Sequence, residues 1–209
     1  MESALCDGAG EPGLKLIETL GWTGHSLPRL GLHMARLSRS AARLGWTCDL
    51  AEVARALRGA TPDAPARLRL TLDANGRIEV QATALPPAKP RWTLTLATRR
   101  LNSADPWLTV KSTRRDAYDS ARAALPDGVD EAIFLNERDE VCDGTITTVF
   151  FDRGHGLRTP PLSAGLLPGI LRADLAAPEE TLVATDLPGV RLWVGNALRG
   201  LIPCRFILA

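Results

Sequence analysis

Of the 25 lysine and arginine residues in this 209-residue chain, only Lys15, Lys89 and Lys111 are lysine. Arginine stays charged at any ordinary pH. A lysine that loses part of its hydration gives up its proton more easily and becomes an amine nucleophile. Lys111 lies in TVKSTRR, at the end of an apolar run, where such desolvation can occur. Taken alone, the simpler account is a strand-end lysine reaching to water.

Other segments could serve an anion or a cation. In LLPGILR (166–172), Gly169 allows close backbone approach, and Ile170 and Leu171 then offer amides at a helix start. Read alone, an ordinary Pro-Gly turn before a core helix is the simpler account. GNALRG (195–200) could form an anion-binding nest or a tight strand connection. Asp143, in VCDGTITTVFF, could be a buried carboxylate paired with a cation, or a plain turn residue before Gly144. His33 sits at the edge of a helical stripe and reads as structural, while His25 and His155 fall in loops. There is no Ser-His-Asp spacing, no Gly-x-Ser-x-Gly and no Walker A motif. Cys6, Cys48, Cys142 and Cys204 form neither a CxxC pair nor a Cys/His cluster, so no metal site is expected and free thiols in a reducing cytoplasm are.

These residues need elements to hold them. GLKLIETLGW (13–22) reads as a strand. Leu30, Met34, Leu37, Ala41 and Leu44 recur at helical spacing, predicting a helix over 28–45 that closes at Gly45. Asp49 can cap a second helix over 49–58. Two alternating runs flank Asp73-Ala74-Asn75-Gly76, a hairpin signal. WTLTLAT (92–98) is another strand. WLTVKS reads as a strand ending in Lys111, followed by a helix at about 113–125. EAIFLN, EVCDG and TTVFFD read as successive strands, PPLSAGLLPGILRADL as a loop entering a helix, and LWVGNALRGLIPCRFIL as two closing strands. This mixture is α+β. The expected junction lies near residue 103, giving an α/β lobe over 1–103 and a β-rich lobe over 104–209.

Composition narrows the partners. Hydrophobic residues make up 45% of the chain, enough for a core, and the formal net charge is +1. Neither nucleic acid nor an anionic membrane is favoured by that balance. No run approaches the roughly 20 apolar residues that span a bilayer. MESALCDGAGEPG has no basic-then-apolar pattern of a secretory signal.

The ordered series RLGLHMARL, VKSTRR, EAIFLNERDEVCDGTITTVFF, LRTPPLSAGLLPGILR and VGNALRGLIP resembles the class IV aminotransferase family of fold-type IV pyridoxal 5'-phosphate (PLP) enzymes. The family includes branched-chain and D-amino-acid aminotransferases and 4-amino-4-deoxychorismate lyases. The resemblance implies a D-amino-acid-aminotransferase-like fold of two lobes with PLP between them, usually in a homodimer, acting on a small amino substrate. It implies that Lys111 anchors PLP covalently and acts as base, and that Arg29 binds the cofactor phosphate. Ile170 and Leu171 match its backbone phosphate cradle, and Asn196 and Ala197 its second phosphate turn. Asp143 stands where the family usually has a glutamate bonded to the pyridine nitrogen. Aspartate is one methylene shorter, which bears on how well a protonated ring is held and how strongly it withdraws electrons.

Four features resemble the lyase branch: the short chain, the residues Asn196-Ala197-Leu198, Arg115 four residues after Lys111, and Thr19, where a lyase threonine assists proton transfer. Arg115 could equally be a solvated helix-start residue. The expected reaction is elimination of 4-amino-4-deoxychorismate to 4-aminobenzoate and pyruvate, in folate synthesis. Transamination of a small or branched-chain amino acid is the alternative, and a non-catalytic PLP- or phosphate-binding relative is a third.

Overall fold

The computed structural model describes residues 5 and 7–207. Cys6 lies outside the described residues, as do the first four positions of the N-terminal segment. Two compact units divide the chain: Met1–Pro87 with Val110–Arg114, and Ala88–Thr109 with Arg115–Ala209.

The first unit is built on a three-stranded antiparallel sheet in the order β1-β2-β3: β1 Lys15–Trp22, β2 Ala66–Asp73 and β3 Ile78–Ala84. Leu16, Glu18 and Leu20 stand opposite Leu72, Leu70 and Leu68, and all six are buried. Period-2 alternation thus gives one core-facing side. Helix α1, Leu30–Leu44, buries Leu37, Ala41 and Leu44 on the predicted stripe and ends at Gly45, whose amide bonds Ala41 and Ala42 carbonyls. Helix α2, Leu50–Gly59, is capped as its sequence implies: Asp49 accepts from the amides of Ala51 and Glu52. The β2–β3 hairpin turns where expected, with Asp73 Oδ1 accepting from the Asn75 and Arg77 amides at 2.9 and 3.0 Å.

The second unit is a closed six-stranded barrel in the order β4-β5-β6-β7-β8-β9. Its strands are β4 Trp92–Leu96, β5 Glu131–Leu135, β6 Val141–Gly144, β7 Thr148–Asp152, β8 Arg191–Asn196 and β9 Gly200–Phe206. β4 pairs parallel with both β5 and β9, and the other neighbours are antiparallel. Ile133, Val141, Val149, Phe151, Leu192 and Val194 form much of its core. Helices α3, Asp116–Ala123, and α4, Ile170–Leu175, are short. Among the described residues no helix is long and apolar enough to cross a membrane.

Two sequence expectations need correction. The division falls after Pro87, not near 103, because β4 is a barrel strand hydrogen-bonded on both sides. Residues 110–114 return to the first unit because the Ile17 amide donates to the Lys111 carbonyl and the Thr113 amide to the Lys15 carbonyl, both at 2.8 Å. WLTVKS is also not a strand. Pro106–Thr109 forms a 3-10 turn, held by Asp105 Oδ1 on the Trp107 amide and by Thr109 Oγ1 on the Pro106 carbonyl, and only Ser112 bridges to Leu16.

Strand β8 approaches its neighbours too closely for any side chain at Gly195: a Cβ there would lie 2.4 Å from the Gly200 carbonyl oxygen and 2.5 Å from Leu171 Cδ2. Gly195→Ala is expected to cost about 1–3 kcal/mol. Gly31→Ala, in α1 where a Cβ meets nothing within 4 Å, should gain about 0.5–1 kcal/mol. Urea unfolding of both variants checks this pair; equal midpoints would contradict it.

Candidate active site

In the first unit, the antiparallel bridge Leu16↔Ser112 sets the direction of Lys111. Directly opposed residues share a face and neighbours alternate, so Lys111 projects with Ile17 and Thr19, on the side opposite Leu16 and Glu18. Lys111 and Thr19 are both half-buried. Arg29 is the residue before the first turn of α1. It is held at φ 61°, ψ 19°, a left-handed conformation that costs a non-glycine residue on the order of 1–2 kcal/mol. Its carbonyl accepts the amides of Leu32 and His33, so the strained residue starts the helix directly.

A buried ionic cluster fixes α1 on β1. Glu18 Oε1 accepts from Arg36 Nε at 2.8 Å, and Oε2 from Arg36 Nη2 and His33 Nδ1, both at 2.6 Å. All three residues are buried. Burial pushes the Glu18 carboxyl up, but the Arg36 charge and the hydrogen bonds from His33 and Arg36 outweigh it and hold the group below the ordinary carboxylate range. His33 is thus structural, as its place on the helix stripe suggests.

In the second unit the strand register gathers the remaining candidates. Asp143 on β6 stands opposite Thr148 on β7, which stands opposite Gly195 on β8, next to Asn196. Gly169, before α4, closes on the same row: a Cβ there would lie 2.4 Å from Thr148 Oγ1. Only glycine lets the chain pass so close, and Ile170 and Leu171 follow as the first turn of α4, which no side chain caps. Asn196 shapes its own turn. Its Oδ1 accepts from the Leu198 and Arg199 amides at 3.1 and 3.0 Å, and its Nδ2 donates to the Ile146 carbonyl at 3.1 Å. Ala197 lies within that turn. Asp143 is buried, with Oδ2 accepting the Leu167 amide at 3.2 Å and Oδ1 the Tyr118 hydroxyl at 3.3 Å. It is a bonded carboxylate in a barrel strand, not a solvated turn residue.

Sequence reasoning passes over Glu131. This fully buried carboxylate accepts from the amides of Thr145 and Ile146 at 2.9 and 3.2 Å, from Thr147 Oγ1 at 2.8 Å and from Thr145 Oγ1. Arg122 approaches it at 3.5 Å. It therefore holds the whole β6–β7 turn beside Asp143. An acidic residue opening the apolar run EAIFL is the trace it leaves in the sequence. Arg115 is also engaged, donating to Asp119 Oδ1 at 2.7 Å and to the Thr145 carbonyl at 3.0 Å.

Comparison with known proteins agrees with this architecture. Residues 15–207 match the family described as amino-transferase class IV. A proposed amino-acid aminotransferase from Mesorhizobium loti is 42% identical, over 93% of this chain and 100% of its own, with a TM-score of 0.89. A 4-amino-4-deoxychorismate lyase from Pseudomonas aeruginosa is 22% identical, over 93% of this chain and 83% of its own, at 0.79. A hypothetical aminotransferase from Mycobacterium tuberculosis, in a form with alpha-ketoglutarate and PMP bound, is 22% identical, over 96% of this chain and 83% of its own, at 0.82. No curated protein matches.

Glu18→Gln removes the charge that Arg36 faces, and should cost about 3 kcal/mol at neutral pH. The folded-state pKa is lowered, so ionised Glu18 contributes stability above the usual 4.5 and loses it as pH falls through the folded value. The gap between wild type and Glu18→Gln should therefore narrow below that pH. Denaturant midpoints measured across the acid range check this, and a gap that is constant or widens would contradict it.

Proposed function

We infer the activity from kinship and placement together: the chain belongs to the amino-transferase class IV family, whose members are PLP-dependent enzymes, and we propose that it is a 4-amino-4-deoxychorismate lyase. The donor set suits the cofactor chemically: a primary amine, a buried carboxylate, and first-turn amides that no side chain caps. Lys111, Thr19, Arg29, Asp143, Ile170, Leu171, Asn196 and Ala197 are the residues we propose to hold it and work with it.

When bound, PLP supplies an aldehyde for the substrate amine and an electron-withdrawing ring. Lys111 Nζ would then be the general base that takes the proton from substrate Cα. Asp143 would hold a proton on the ring nitrogen through a charge-assisted hydrogen bond. The Ile170 and Leu171 amides would bind the phosphate, and the Arg29 guanidinium is the cation proposed for the same group. Strain is tolerated at Arg29 although glycine would relieve it, consistent with a use for its side chain. Asn196 orders the turn around Ala197 through its side chain.

The observation that carries the lyase reading is the placement of Thr19. It shares the sheet face of Lys111, where its hydroxyl can pass a proton to the leaving group during elimination. Arg115 adds less than its position suggested, because its guanidinium is already bonded within the second unit. Transamination of a small amino acid is the second reading, favoured by the 42% identity to the Mesorhizobium loti protein. We further propose that the chain works as a homodimer, as the family resemblance implies.

Purified protein loaded with PLP and given 4-amino-4-deoxychorismate should release 4-aminobenzoate and pyruvate. Thr19→Ala should slow that release by about 10²-fold or more, the scale of a lost proton-transfer group. Absence of 4-aminobenzoate, together with ready amino transfer to a 2-oxo acid, would replace the lyase reading with the aminotransferase one.

A further inference from the structure

Asp143 is shorter than the glutamate expected at its position, and the second unit places a partner beside it. Tyr118, the chain's single tyrosine, reaches from α3 and donates its hydroxyl to Asp143 Oδ1 at 3.3 Å. The Leu167 amide donates to Oδ2 at 3.2 Å. The phenol ring is itself located. It meets Phe134 edge to face at 5.0 Å, and the Arg115 guanidinium lies 5.7 Å from its centroid. Arg115 is fixed in turn by Asp119 and the Thr145 carbonyl.

A hydroxyl bonded to one oxygen and an amide to the other restrict how this buried carboxylate can turn. We propose that Tyr118 is a positioning residue that fixes the Asp143 carboxylate, through the hydroxyl bond to Oδ1, to receive the protonated ring nitrogen of the cofactor. The inference rests on the reading of Asp143 as the ring-nitrogen partner. Phenylalanine would keep the contact with Phe134 but leave one oxygen of Asp143 without that donor. The charges bearing on the phenol are consistent with the geometry: burial first, then the Asp143 carboxylate, raise its pKa well above the ordinary value, with Cys142 adding to that and Arg115 opposing it.

The test compares two ligands on the full chain stripped of cofactor: PLP, and its analogue with carbon in place of the ring nitrogen. Wild type should prefer PLP. Asp143→Asn should abolish the preference. Tyr118→Phe should reduce it by about fivefold, the scale of one hydrogen bond, with binding of the carbon analogue unchanged. The double variant should match Asp143→Asn. If Asp143→Asn abolishes the preference while Tyr118→Phe leaves it intact, or weakens both ligands alike, the role of Tyr118 is overturned and that of Asp143 stands. If Asp143→Asn leaves the preference unchanged, the reading of Asp143 falls and the inference falls with it. Should Tyr118→Phe fail to fold, the chain's single tyrosine reports directly: its ultraviolet resonance Raman ring doublet, which reads donation by the hydroxyl, should change in Asp143→Ala, and an unchanged doublet overturns the contact.

Discussion

The second unit depends on one buried anion. Glu131 opens β5 with its carboxylate inside the protein, where an unpartnered charge would cost several kcal/mol. The turn from β6 to β7 offsets that cost by turning two backbone amides and two threonine hydroxyls onto it. The turn has no such freedom once it does so. Asp143 then stands just before it and Thr148 just after it, and the register Asp143↔Thr148↔Gly195 carries the order across three strands to Asn196. Asn196 closes the loop of dependence by donating back to the Ile146 carbonyl of the same turn. The acid that organises the candidate site is thus not among the residues assigned to chemistry.

The first unit solves the matching problem in the same way. Thr19 and Lys111 lie on one side of the sheet and Glu18 on the other. Glu18 fastens α1 through His33 and Arg36, and the helix begins at the strained Arg29. Leaving one member of such a cluster without its partner costs more than the cluster gains over an apolar core. Its use here is geometric: it fixes where the helix starts relative to the strand that carries Thr19.

Local patterns in the sequence specify what local physics determines. The four- and three-residue spacing of Leu30 to Leu44, the Asp49 cap and the Asp73–Gly76 turn each lead to the element observed. The candidate residues were legible as an ordered series of motifs, and the family follows from it. What was not legible is non-local. β4 reads as an isolated strand, and nothing in WTLTLAT tells that it pairs parallel on both edges and closes a barrel, so the boundary near 103 was misplaced. WLTVKS looks like a strand by hydrophobicity, but Asp105 and Pro106 turn its first residues locally. The groups that give Glu131 and Tyr118 their roles, the turn over 145–147 and Asp143, lie more than ten positions away, which no periodicity reports.

The central claim is that Lys111 is the amine that engages PLP. The direct measurement is a visible absorbance band on mixing the protein with PLP, followed by borohydride reduction and peptide mass mapping. The account predicts that the band disappears on reduction, that the phosphopyridoxyl mass is found on the peptide containing Lys111, and that Lys111→Ala shows neither. A protein that stays colourless with PLP, or a label found on Lys15 or Lys89 instead, would contradict it.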